Sequence, residues 1–301
     1  AVRENGDINA TRLEAGLYGT IERGTWNAKV YNYNSERGIP GAIVNNVWRR
    51  GERVWDTNSF FQGSFVKEVN DQFKTQVNAK YAFYRTHYVN NDDKLIEVDN
   101  LYKQREVYVS TANMYTIFPF WDVSMSYDFQ WNEMKADMYG FVFPTRFTNL
   151  LSIATALRLG KVKLQGSGLA TFVNDRVKEG PAPKARQILT PAVFLSYKLF
   201  DKHDFSLRAF YKKTFRMPTF NDLYYADMGN SKLDPEYVTQ YNLGTVYQKQ
   251  WGNKLFRHFK IQADGYYNYV KDKIIAYPKG QQFRWTMLNL GKVKIRGVDI
   301  S

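Results

Sequence analysis

Between residues 73 and 83, in FKTQVNAKYAF, apolar and polar side chains alternate, and this period of two constrains the fold more than anything else in the chain. Phe73, Thr75, Val77, Ala79, Tyr81 and Phe83 share one face of an extended backbone, and Lys74, Gln76, Asn78 and Lys80 share the other. VKLQGSGLATF (162–172) and FKIQADGYYNY (259–269) divide in the same way, with Lys163 and Gln165, and Lys260, Gln262 and Asp264, on the wet side. No helical period of comparable length occurs. No run of eighteen apolar residues occurs either, so no helix of this sequence crosses a bilayer.

The pattern predicts about thirteen strands, at roughly 10–22, 24–34, 57–69, 72–88, 104–117, 120–133, 147–159, 161–173, 186–200, 204–216, 237–250, 256–270 and 283–300. Many reach the ten or so residues that a tilted strand needs to span a membrane, whereas soluble strands average about five or six. The connections alternate in length. Short ones (ERG, VNDQ, FPF, LGK, DKHD, QWGNKL) interleave with long ones at 35–56, 89–103, 134–146, 174–185, 217–236 and 271–282. Tight turns on one rim and long loops on the other describe an all-β, antiparallel up-and-down transmembrane barrel; a Greek-key sandwich imposes no such rule.

The composition fits this architecture. Tyr (22), Phe (21) and Trp (7) make up 17% of the chain, yet mean hydropathy is −0.51, so many rings belong at an interface rather than in a core. Aromatic groups such as Trp26, Tyr31 and Tyr33, or Phe118, Phe120 and Trp121, are expected to form girdles at the two headgroup levels. The net charge of +13 is dispersed over strand-alternate positions without a long basic run, which gives no reason to invoke nucleic acid. The absence of cysteine excludes disulfides, thiolate metal sites and cysteine nucleophiles. AVRENGDINA lacks the basic and apolar regions of a signal peptide, so a mature chain or an internal start is expected.

If the apolar face meets lipid, then Arg12, Glu14, Lys29, Lys80, Arg208 and Asp264 point into an enclosed lumen. Such a lining cannot close on itself as a core. It is either wet or filled by another polar domain.

One segment narrows the choice. FRMPTFNDLYYADMGNSKLDPE (215–236) resembles the signature of TonB-dependent outer-membrane receptors, in which an F-[RK]-x-P box ends an outward strand and a Gly-Asn…Leu-x-Pro-Glu stretch begins the return. Pro218 and Pro235 stiffen the two shoulders, and Gly229-Asn230 supplies a turn. Two further stretches, YNYNSERGIPGAI (31–43) and NLGKVKIRGVDIS (289–301), are similar to features of the cobalamin, haem and siderophore members. The resemblance implies part of a barrel of about 22 strands, with residues 1–301 as a partial barrel domain and the plug domain absent. It further implies an energy-coupled receptor in the bacterial outer membrane, long loops outward, that imports a scarce metal chelate or cofactor, with iron-siderophore or cobalamin favoured over haem. Partners would be TonB (through the missing plug), the small-molecule ligand, and outer-membrane lipid and lipopolysaccharide. No catalytic residue or cofactor is implied.

The candidate ligand-binding residues on outer loops are Arg216, Tyr224, Tyr225, Asp227 and Asn230, together with Arg49, Arg50 and Arg53 of WRRGER, which are suited to an anionic chelate or to phosphate. Each has an ordinary alternative: the 215–236 motif only fixes a hairpin, and the arginines are solvated. Asp92, Asp93 and Asp99 of the acidic loop offer oxygen donors for calcium, or form a plain acidic loop. Residues 217–234 contain no His, which argues against haem. The competing readings are a passive porin-like channel and a soluble carbohydrate-binding β-protein. An enzyme finds no nucleophile elbow, HExxH or phosphate loop in the sequence.

Overall fold

A computed structural model describes residues 4–40, 51–91, 97–180, 182–200, 204–225, 228–250, 258–279 and 284–301. The strands are β1 (Ile8–Ile21), β2 (Gly24–Gly38), β3 (Glu52–Glu68), β4 (Phe73–Asn90), β5 (Val98–Phe118), β6 (Trp121–Ala136) and β7 (Thr145–Leu159). They continue as β8 (Val162–Arg176), β9 (Arg186–Lys198), β10 (Asp204–Arg216), β11 (Glu236–Gln250), β12 (His258–Lys279) and β13 (Arg284–Ile300), with one short helix, α1 (Phe220–Tyr224). Their order in the sheet is their order in the chain, antiparallel and without a crossover, so the predicted up-and-down meander is what forms.

Local chemistry sets the tight turns. Gly160 turns β7 into β8 at φ 57°, a left-handed conformation that costs glycine nothing. Between β3 and β4, the Asn70 side-chain oxygen accepts from the amides of Gln72 and Phe73 at 2.9 and 2.7 Å, closing the turn with a side chain in place of a ladder bond.

The strands outrun the oily pattern at the other rim. β2 continues to Gly38, β4 to Asn90 and β5 begins at Val98, so the predicted loops at 35–56 and 89–103 are shorter than read. The predicted long loop at 271–282 is mostly ladder: Ile274 pairs with Asn289 and Tyr277 with Thr286. Alternation fails in KDKIIAYPK, but backbone pairing does not depend on which side chains are apolar.

The chain divides into two compact units, one comprising residues 1–112, 127–149 and 172–186, the other 113–126, 150–171 and 187–301. In the first, Ala15, Val30, Phe61 and Tyr81 are successive cross-strand partners, and the last three are 49, 53 and 47% exposed. Alternate positions turn polar groups toward one another: Lys29 pairs with Glu14 at 2.7 Å, Lys80 with Glu106 at 2.9 Å, and Gln130 donates to Glu106 at 3.3 Å. In the second unit, Leu195, Ala209, Leu243, Gly265 and Val298 form an outward row, with Leu243 at 67% and Val298 at 71% exposure. Behind that row Arg208 donates two bonds to Asp264, at 3.0 and 2.9 Å.

This is an inside-out sheet. A water-soluble fold would forfeit about 1.5–3 kcal/mol for each large apolar side chain left in water, and would not do so strand after strand. Hydrocarbon on that face removes the penalty. Two aromatic levels frame the oil in the second unit: Phe200, Phe205, Tyr247 and Phe259 at successive separations of 6.2, 6.4 and 6.3 Å, and Tyr211, Tyr241 and Tyr267 at 5.2 and 6.3 Å. Tyr31, expected in a girdle, instead lies on the wet face, because it shares parity with Lys29. It stacks on Phe60 at 4.8 Å, with the Arg12 guanidinium 5.3 Å from its ring centre.

Candidate functional site

The segment 216–236 belongs to the second unit and is built as a lock. β10 ends at Arg216 directly opposite Glu236, the first residue of β11. Pro218 and Pro235 are both under 2% exposed, so the shoulders that the sequence marks are also buried packing elements. Thr219 caps α1: its hydroxyl accepts from the Asp222 amide at 3.1 Å, and the Asp222 carboxylate accepts from the Thr219 amide at 2.9 Å. This reciprocal box satisfies two helix-start amides that would otherwise lack partners. The same carboxylate, 8% exposed as a residue, accepts from Arg216 Nη2 at 2.8 Å, which ties the last strand residue to the helix.

Gly229 sits where only glycine fits. A Cβ there would lie 2.7 Å from both the Leu223 carbonyl oxygen and the Tyr224 amide nitrogen. The close approach lets the Asn230 amide reach the Asp222 carbonyl at 2.9 Å, while its side chain donates to the Met287 carbonyl of β13 at 2.9 Å. Leu223, Leu233 and Ile274 pack together beneath, flanked by Tyr224 and Met287. The Glu236 carboxylate accepts from the Ile274 amide at 3.1 Å. The segment is therefore clamped from α1 across β11 and β12 to β13.

Arg216, Tyr224, Tyr225 and Asn230 are thus brought together. Arg216 is engaged with Asp222 inside the segment, Asn230 with Met287 of β13, and Tyr224 leans on the apolar cluster. The Arg216 side chain keeps 47% of its surface open and Tyr225 is half-buried, so both retain accessible surface. Asp227, Arg49, Arg50, Asp92 and Asp93 lie outside the described residues. Arg53 belongs to the first unit, where it pairs with Asp7 at 2.9 Å and Glu36 at 2.7 Å and so holds the segment before β1 against β2. The Asp7 carboxyl is held below the usual range by that guanidinium. Asp99 lies 2.6 Å from His87 Nε2, and His87 stacks on Trp55 at 5.2 Å. Among the described residues no group of three or more acidic or His side chains is arranged to hold a metal.

Sequence reasoning put Lys163, Gln165, Arg208, Gln262 and Asp264 on the wet face but did not single out Asp299 or bring the six together. In the second unit, Lys163, Gln165, Arg208, Gln262, Asp264 and Asp299 line a cleft of about 530 Å³. Every one of these occupies a polar position of the alternation; the missing information was the strand register that makes them neighbours.

A family model described as TonB dependent receptor-like, beta-barrel, matches residues 3–301. The vitamin B12 transporter BtuB of Vibrio vulnificus (strain YJ016) is 34% identical over 87 residues, 29% of this chain and 13% of that protein. Among solved structures, the copper transporter OprC superposes with a TM-score of 0.76 at 16% identity, over 97% of this chain and 49% of that one. The FrpB iron transporter from Neisseria meningitidis (F3-3 variant) gives 0.74 at 12% identity, over 97% and 49%. The chain therefore spans about half the length of these solved relatives, and the likeness to them is one of fold. With an inside-out sheet, a clamped 216–236 segment and a family match along nearly its whole length, the chain belongs to the β-barrel family of TonB-dependent receptors.

Proposed function

We propose that residues 1–301 are wall of an outer-membrane receptor that imports a scarce metal chelate or cofactor, with an iron-siderophore or cobalamin ahead of haem. In this reading a plug domain lying outside these residues fills the lumen, TonB supplies the energy through that plug, and the long connections face outward. The observation that carries it is the clamped lip at 216–236 mounted on a wall that is apolar outside and ionic inside. A rigid lip holds contact groups in place before a ligand arrives, which lowers the ordering cost of binding. Arg216 and Tyr225 are the contacts of first choice, with Tyr224 and Asp227 beside them; Asn230 positions the lip. Arg49, Arg50 and Arg53 form a second set of candidate contacts for an anionic chelate.

The test is uptake. Cells expressing the intact gene product should accumulate radiolabelled cobalamin or a ferric siderophore only when TonB is present, with competition by the unlabelled form of the same compound. Accumulation that is indifferent to TonB and unsaturable would mean a passive channel.

A further inference from the structure

The outward face of the sheet changes character along β13. Over most strands outward positions are oily and inward ones wet. From Lys292 to Arg296 the order inverts: outward Lys292, Lys294 and Arg296 alternate with inward Val293 and Ile295. Register carries the cations across the neighbouring strands, since Arg296 pairs with Tyr267, Lys294 with Tyr269, and Lys292 with Lys271. Tyr269 in turn pairs with Thr239, and Thr239 with Lys213 of β10. All five cations are exposed. Among the described residues, the ion pair in this set is Lys271 with Asp272 at 3.6 Å.

No Asp or Glu occupies an outward position of β10, β11, β12 or β13. Asp272 of β12 reaches Lys271, whereas Lys213, Lys292, Lys294 and Arg296 have no outward carboxylate on these four strands beside them. Directly below the cations lies a trough of about 790 Å³ floored by Ala209 and Gly265 between Leu195, Leu243 and Val298. The small floor residues sit amid large neighbours, so the face is concave there. The Tyr211, Tyr241 and Tyr267 ladder lines one end of the trough and continues into Arg296, with the lysines beyond it, an amphipathic step between oil and charge.

We propose that this face binds a phosphate-bearing membrane lipid of net negative charge, one without a headgroup cation of its own, with acyl chains in the trough and the phosphate among Lys292, Lys294 and Arg296. Alternate strand positions lie about 6.6–6.8 Å apart and adjacent strands about 4.8 Å apart, so two or three of these side chains converge on one phosphate. Arginine adds the two-pronged geometry that phosphate oxygens accept. An uncharged lipid fills the trough but leaves the cations at the edge of the oil without counter-ions. The proposal rests on the outer-membrane reading above.

The experiment uses the intact gene product extracted in neutral detergent and examined by native mass spectrometry with added phosphatidylglycerol or phosphatidylcholine. Wild type should retain phosphatidylglycerol at least about tenfold better, and Lys292→Gln/Lys294→Gln/Arg296→Gln should lose that preference. Gly265→Leu should weaken retention with every charge in place, because a Cβ there meets nothing closer than 3.8 Å and the added side chain fills the trough without disturbing backbone. Inorganic phosphate should not displace the lipid.

Equal retention by the triple variant, or equal retention of the two lipids by wild type, overturns the proposal. Displacement by inorganic phosphate alone also overturns it in favour of a free-anion site. Should the triple variant fail to fold, Lys292→Gln, Lys294→Gln and Arg296→Gln made singly remove these cations one at a time, and an unchanged preference in all three is equally fatal. Failure of wild type to insert into bilayers would instead defeat the outer-membrane reading. An inserted barrel without lipid preference defeats only this inference.

Discussion

Asn289 pairs with Asp234 as if it were a piece of strand: its side-chain oxygen accepts from the Asp234 amide at 2.8 Å and its side-chain nitrogen donates to the Asp234 carbonyl at 2.9 Å. The same nitrogen also donates to the Asp272 carbonyl at 2.8 Å. One amide side chain thus ties the 216–236 lip to β12 and β13, from a distance of 55 residues in sequence. Asn289→Ala should destabilise the lip by about 1–2 kcal/mol, since partly solvated hydrogen bonds contribute about 1 kcal/mol or less each. Limited proteolysis checks it: cleavage between residues 217 and 235 should accelerate, by about tenfold per 1.4 kcal/mol, while the strands stay resistant. Asn289→Asp, which sets a carboxylate oxygen against the Asp234 and Asp272 carbonyls, should be at least as damaging above the carboxylate pKa.

Gly229→Ala should be far worse than its single methyl suggests. The new Cβ would meet backbone atoms of Leu223 and Tyr224 at 2.7 Å, and backbone cannot move aside as a flexible side chain can. A cost of about 1–3 kcal/mol is expected from overpacking of this kind. Gly168→Ala is the control, because nothing lies within 4 Å of its Cβ position. Thermal unfolding followed by heat-modifiable gel mobility should show a shift for Gly229→Ala and almost none for Gly168→Ala.

Arg146 and Asp175 form a two-pronged pair, both bonds at 2.6 Å, with side-chain exposures of only 11 and 4%. Removing the carboxylate leaves the buried Arg146 guanidinium without its two-pronged counter-ion, so Asp175→Ala should cost about 3–5 kcal/mol. Replacing both, Arg146→Met with Asp175→Leu, should recover most of the loss. Denaturant unfolding of the four members of this double-mutant cycle measures the coupling directly.

The Asp7 carboxyl titrates below its ordinary value of 3.8 because the Arg53 guanidinium hydrogen-bonds to its ionised form. A lowered folded value means that the stabilisation is fully present above 3.8 and disappears as pH falls through the lower folded value. NMR titration of the labelled carboxyl carbon should report this depression in wild type and a return toward 3.8 in Arg53→Gln. The effect should shrink in high salt, since the pair is solvent-exposed.

The strands were legible because their constraint is local. Val77, Ala79 and Tyr81 against Gln76, Asn78 and Lys80 states the two faces without any knowledge of neighbours, and the structure keeps all six on those faces. What sequence could not supply was which strands meet at which residue. Tyr31 read as a girdle residue because it is aromatic and near a strand end; its parity with Lys29 puts it on the ionic side, where it stacks on Phe60. The ladder beyond Lys271 was misread as loop because the apolar–polar alternation breaks there while strand pairing continues to Lys279. In the candidate site, the prolines and Gly229-Asn230 were visible as turn chemistry. Their anchors Met287 and Asn289 were invisible as such, because a contact across more than fifty residues has no local signature.

The central claim is that the oily rows face hydrocarbon and the ionic rows face a wet lumen. The sequence contains no cysteine, so single spin-labelled cysteines can be placed at successive positions 261–267 of β12 in the intact gene product reconstituted in bilayers. Collision rates with oxygen, which concentrates in lipid, should peak at residues 261, 263, 265 and 267, and those with a water-soluble nickel chelate should peak at 262, 264 and 266. Oxygen maxima at the even positions, or no alternation at all, would contradict the account.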